Sequence, residues 1–65
     1  MIVYLIEKEV DYEPGEIVGL FSTRGRAEKV FAKKAEENSF DQLLLWRWRP
    51  DINEKEVVKK AQRRG

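Results

Sequence analysis

The sequence predicts an α+β domain in the order ββαβα. Its expected core is a three-stranded antiparallel sheet of order 2-1-3, with one helix packed on a face and a short C-terminal helix. Three observations carry this. "IVYLIEKEV", "IVGLFST" and "FDQLLLWRWR" are rich in β-branched and aromatic residues. "STRGRAEKVFAKKAEENS" switches to helical spacing between the second and third of these. With 65 residues there is room for one domain, here a ββαβ core over 1–50 and a basic C-terminal helix in 51–65.

The first strand is expected over residues 2–10. "DYEPGE" after it is turn chemistry, with Pro14 at i+1 and Gly15 at i+2 of a type II turn. The second strand, 16–22, completes a hairpin. Ala27, Val30, Phe31 and Ala35 then recur on one helical face, with Thr23 as N-cap and Asn38–Ser39 as the stop. The third strand ends at Pro50, which cannot donate to a ladder. A right-handed crossover through the helix makes strands two and three parallel, leaving strand one between them. "IVYLI" suits that central place, being apolar on both faces.

The tail reads as a helix over roughly 54–63. Asn53 and Glu56 form a capping-box pattern, and Ile52 and Val57 sit where a hydrophobic staple would be. Acids precede bases along it, in the order that suits the helix dipole. Its apolar stripe of Val57, Val58 and Ala61 is thin.

Composition narrows the function classes. A chain this short buries only about 60% of the surface its unfolded form exposes. Without cysteine or histidine it has no disulfide, no thiolate metal site, and neither the commonest metal ligand nor the commonest general base. Ser22, Thr23 and Ser39 are hydroxyl nucleophiles without a histidine to activate them. Glu7, Glu9, Asp11 and Glu13 follow no calcium-loop spacing. A non-enzymatic protein without cofactor or metal is therefore expected. "MIVYLIEKEV" lacks a basic leader and is too short an apolar run to span a membrane, so a cytoplasmic protein is expected.

Charge is abundant and nearly balanced, 13 Lys+Arg against 12 Asp+Glu. Residues 1–20 carry five acids and one base, whereas 21–65 carry seven acids and twelve bases. Such a dipolar chain can steer association with a charged partner, although interspersed charge is also ordinary surface composition.

Two stretches are candidates for binding. In "LLLWRWRPD", strand periodicity puts Trp46 and Trp48 on one face and Arg47 and Arg49 on the other. Both sheet faces carry large apolar residues, and the first helix can cover only one. The second is then covered by the C-terminal helix, by a second copy in a homodimer, or by another molecule. Arg47, Trp48 and Arg49 are the expected protein-partner contacts, because Arg and Trp dominate interface hot spots. Core packing of the tryptophans competes with an aromatic platform for nucleic-acid bases. A net charge of +1 is low for the latter. In "FSTRGRAEK", the residues Ser22, Thr23, Arg24, Gly25 and Arg26 gather hydroxyls, guanidiniums and a helix N-terminus that suit an anion, without phosphate-loop spacing.

"VYLIEKE" followed by "IVGLFSTRGRAEKVFAKK" resembles the short uncharacterised ββαβ proteins of tailed phages and prophages, over about residues 2–49. That resemblance implies an accessory protein that binds and modulates a host or phage protein in the host cell cytoplasm. The layout is also similar to that of the small phage inhibitors of host RNA polymerase, whose third strand likewise ends in an Arg-x-Arg-Pro run. Here the run is Arg47, Trp48, Arg49, Pro50.

Overall fold

A computed structural model describes residues 1–10, 15–37 and 39–63. The elements are β1 (Val3–Glu9), β2 (Glu16–Phe21), α1 (Arg24–Glu37), β3 (Gln42–Arg49) and β4 (Glu54–Gln62). They form an α+β domain with a four-stranded antiparallel sheet of order β2-β1-β3-β4. The expected 2-1-3 arrangement is therefore present, with β1 central and β2 and β3 parallel to each other. The turn residues 11–14, Pro14 among them, lie outside the described residues; Gly15, the expected i+2 position, does not take the positive φ that a type II turn requires there.

The C-terminal helix is not formed, and the sheet has four strands where three were expected. Glu54–Gln62 is an edge strand against β3, in register from Arg49↔Glu54 to Gln42↔Gln62. The turn before it explains the difference. Asn53 does not cap a helix; it adopts φ 51°, and its N–H donates to the Pro50 carbonyl at 3.3 Å. Asn tolerates this left-handed conformation, so "PDIN" closes a β3–β4 hairpin. Ile52 remains 58% exposed, so no staple to Val57 forms. Pairing with β4 satisfies the outer edge of β3, the strand with the most buried residues. That tertiary gain overrides the helical bias of "EKEVVKKAQ".

Helix α1 crosses β1, β2 and β3 on one side of the sheet. Thr23 precedes its first residue, and the Ala27 N–H donates to the Thr23 carbonyl at 3.2 Å. Ala27 and Phe31 are buried against Ile6, Phe40, Leu43 and Leu45, with Tyr4, Val18, Phe21, Val30, Ala35, Val58 and Ala61 closing around them. The helical face read from the sequence is thus the one that packs. Two bulges, at Val18 in β2 and Val58 in β4, turn an extra valine toward this core from each edge strand. Gly19 has a local reason: a Cβ there would come within 2.8 Å of the Phe21 ring, which lies over its backbone. Asp41 anchors the start of β3 between its neighbours. Its N–H donates to the Glu9 carbonyl, its own carbonyl accepts from Arg63 N–H, and its carboxylate accepts from the Arg63 guanidinium.

Candidate functional site: the open face of the sheet

Strand register sorts the side chains into two faces. Under α1 lie the rows Phe21–Tyr4–Arg47–Glu56, Gly19–Ile6–Leu45–Lys59 and Glu16–Lys8–Leu43–Ala61. On the other side lie Leu20–Leu5–Trp46–Val57, then Ile17–Glu7–Leu44–Lys60, then Val3–Trp48–Lys55. Because the tail forms a strand in the plane of the sheet, no described element covers this second face.

The open face has relief. Leu5 and Leu44 are low, at 7% and 6% exposure, while Leu20, Ile17 and Val57 stand out at 57%, 60% and 47%. Leu5 floors a groove along β1, walled by Ile17 and Leu20 on one side and by Trp48 on the other. Asn53 and Lys55 close its end, and its volume is about 390 Å³. Contiguous exposed apolar surface is a common feature of interaction sites, which makes this face the candidate.

Trp46 is neither core nor a bare platform. It is half-buried, its indole N–H donates to Glu7 Oε1 at 3.1 Å, and the Lys55 ammonium lies 4.4 Å from its ring centroid. A cation above the ring and a carboxylate at its nitrogen fix its orientation. Trp48, also half-buried, makes the groove wall. Both tryptophans therefore stand on the face away from the helix.

The expected partner triad is split by the sheet. Trp48 belongs to the open face, whereas Arg47 is on the helix side, where its Nη1 donates to Glu56 Oε1 at 3.1 Å. Arg49 alternates with Trp48 and shares the Arg47 face. These three side chains do not form one surface. The residues that join Trp48 are Leu5, Ile17, Leu20, Trp46 and Val57. Leu20 follows from strand periodicity; Ile17, three residues before it, reaches the same face only through the bulge at Val18, and Val57 on this face required β4.

The anion-binding candidates Ser22, Thr23, Arg24, Gly25 and Arg26 are all exposed around the start of α1. Arg24 is turned along the helix to Glu28 at 3.5 Å, so its guanidinium already has a carboxylate partner. Glu28 also pairs with Lys59 at 3.0 Å, tying the helix to β4. This lowers its pKa, chiefly through the Lys59 hydrogen bond, against a smaller opposing effect of burial. A second cleft, about 270 Å³, lies between α1 and β2. Its charges are matched in pairs, Lys8 with Glu16 at 3.7 Å and Lys34 with Glu37 at 3.6 Å.

Among the described residues no helix is long and apolar enough to cross a membrane, and no three acidic side chains gather as a metal site. No protein-family model, curated protein or solved structure matches the chain.

Proposed function

We propose that the chain is a small non-enzymatic binding module that acts by occupying a protein surface through its open sheet face. One observation carries the reading: the apolar row Leu20–Leu5–Trp46–Val57, flanked by Trp48, lies uncovered across the whole width of the sheet. An apolar row with one rigid aromatic wall is the composition of an interface centre. The sequence resemblance to short phage proteins supports a host or phage protein as the partner, and an accessory, modulating role.

The same face weighs against nucleic acid. Trp46 is already engaged by Glu7 and Lys55, and Glu7 and Glu9 would repel phosphates along β1. Arg24, Arg47 and Arg63 are each paired with a carboxylate.

Capture with the immobilised chain tests the reading. A partner retained by the wild type should be lost with Leu20→Glu and kept by the Arg47→Ala/Arg49→Ala double variant. Loss with the arginine variant alone would move the contact to the helix side. Retained nucleic acid whose binding falls steeply with salt would favour the other class.

A further inference from the structure

We propose that the outer edge of β2 is a homodimerisation edge. Two copies pair antiparallel along Glu16–Phe21, about a two-fold axis normal to the sheet that passes between Val18 and Gly19, and their sheets become one. The open face stays uncovered, so the proposal stands independently of the reading above.

The two edges of the sheet differ. β4 carries Glu54, Lys55, Glu56, Lys59 and Lys60, and charged side chains of this kind guard an edge against further pairing. β2 carries one charge, Glu16, followed by Ile17, Val18, Gly19, Leu20 and Phe21. Among the described residues no loop, cap or side-chain hydrogen bond engages this strand. Its outer backbone groups are therefore open to a strand partner, while Ile17 and Leu20 stand 60% and 57% exposed beside them.

The bulge selects the partner. Register with β1 puts Glu16, Gly19 and Phe21 on the helix side and Ile17 and Leu20 on the open face, and the bulged Val18 also packs toward the core. In chain order the side chains of β2 point helix, open, helix, helix, open, helix, which reads the same in both directions. Directly opposite residues of an antiparallel pair share a face. The axis between Val18 and Gly19 sets Ile17 against the partner copy's Leu20, Val18 against its Gly19 and Glu16 against its Phe21, and every pair agrees. Sliding one strand by one or two residues either way sets an open-face side chain against a helix-side one. A bulge twists an edge strand away from a regular partner. A second copy brings the same bulge, matched through the axis.

Charge decides between the edges. The bulge at Val58 gives β4 the same kind of facial symmetry, but there the axis sets Val57 against Lys60 and Val58 against Lys59, gathering the lysines of both copies around it. On β2 the axis gathers two Ile17–Leu20 pairs, which cover exposed apolar surface. It also lays the acidic end of the strand, Glu16, beside the end that leads into Arg24 and Arg26 of the partner copy. One short strand a side makes a small contact, so association is weak and transient. Main-chain pairing supplies the affinity, and the Ile17–Leu20 contacts supply the register.

The test combines sedimentation velocity on the full chain, from micromolar to millimolar concentration, with amide NMR over the same range. The wild type should dimerise, and its concentration-dependent shifts should centre on Glu16–Phe21. Ile17→Glu and Leu20→Lys act at exposed positions, so each should keep the far-UV spectrum of the wild type. Each alone should weaken dimerisation by about tenfold or more, because the new charge meets an apolar side chain across the axis. An equimolar mixture of the two should restore it, since the introduced acid and base then face each other.

A wild type that stays monomeric to millimolar concentration overturns the proposal. So does a dimer whose shifts centre on Trp46 and Val57, which would place the contact on the open face, or one that neither substitution weakens. A dimer weakened by both but not restored by mixing overturns the axis. A monomer that still captures another protein through Leu20 overturns the edge pairing and keeps the open-face reading.

Discussion

Trp46 and Glu7, 39 residues apart in the chain, are joined across the β1–β3 ladder by a 3.1 Å hydrogen bond from the indole to the carboxylate. The bond fixes the tryptophan on the face away from the helix, where the Lys55 ammonium lies 4.4 Å from its ring centroid. Trp46→Phe keeps most of the apolar contact and removes the donor, so it should cost about 1 kcal/mol. Trp46→Ala also loses half-buried ring surface and should cost about 2–3 kcal/mol, less than Leu45→Ala, where a fully buried side chain leaves a cavity worth about 3–5 kcal/mol. Urea unfolding at low protein concentration measures all three. A tryptophan change as costly as the Leu45 change would place Trp46 in the core after all.

Acid sensitivity should trace to the contact between Glu28 and Lys59. The hydrogen-bonded Lys59 ammonium holds the Glu28 carboxyl below its ordinary value of 4.5. Folding lowers this pKa, so the stabilisation is present above the unfolded value and is lost as pH falls through the folded one. Carbon-detected titration of Glu28 should show the lowered pKa in the wild type and its return upward in Lys59→Met. The same substitution should flatten the acid limb of the stability profile. An unchanged Glu28 titration in Lys59→Met would show that the pair is not formed in solution.

Much of the fold is legible because its signals are local. The ββαβ order, the packing face of α1 and the separation of Trp46 and Trp48 from Arg47 and Arg49 all follow from periodicity. The tail is not legible in the same way. Asn53, Glu56 and the run of bases satisfy every local rule for a capped helix, and Val57 and Val58 are too few to impose a period. What decides is the edge of β3, where Leu43 and Leu45 need a neighbour that only tertiary context supplies. The signal that could have found it is "PDIN", with three turn-forming residues, Pro50, Asp51 and Asn53, between two segments of similar length. The triad Arg47, Trp48 and Arg49 is divided between the two faces for a related reason. Consecutive residues of a strand face opposite ways, so Arg47, Trp48 and Arg49 cannot be one patch.

The hairpin turn gives its own prediction. At φ 51°, Asn53 occupies a region that glycine and asparagine enter readily and β-branched residues avoid. Asn53→Gly should leave stability within a few tenths of a kcal/mol, whereas Asn53→Val should cost about 1–2 kcal/mol. Were residue 53 instead the cap of a helix, Asn53→Gly would also cost little, so the valine variant and the loss of β4 amide protection in it make the distinction. Urea unfolding with hydrogen exchange reads both.

Removing residues 52–65 tests whether β4 belongs to the core or is appended to it. The truncation takes away the strand paired along the whole outer edge of β3 and the contacts of Val58 and Ala61 with the core. It also removes the Lys59 tie to α1 and both Arg63 bonds to Asp41. Leu43 and Leu45, now fully buried, would stand on an exposed edge. Losing Val58 and Ala61 packing alone is worth about 2 kcal/mol, before the unpaired edge is counted. A domain of this size has only about 3–5 kcal/mol from a single core. The shortened chain should therefore lose its cooperative thermal transition and its dispersed amide spectrum, and it should aggregate through the bared strand. A truncation that unfolds cooperatively and stays soluble would mean that β1–β3 and α1 suffice. In that case β4 would be a detachable edge, and its pairing site on β3 would be open to a strand from elsewhere.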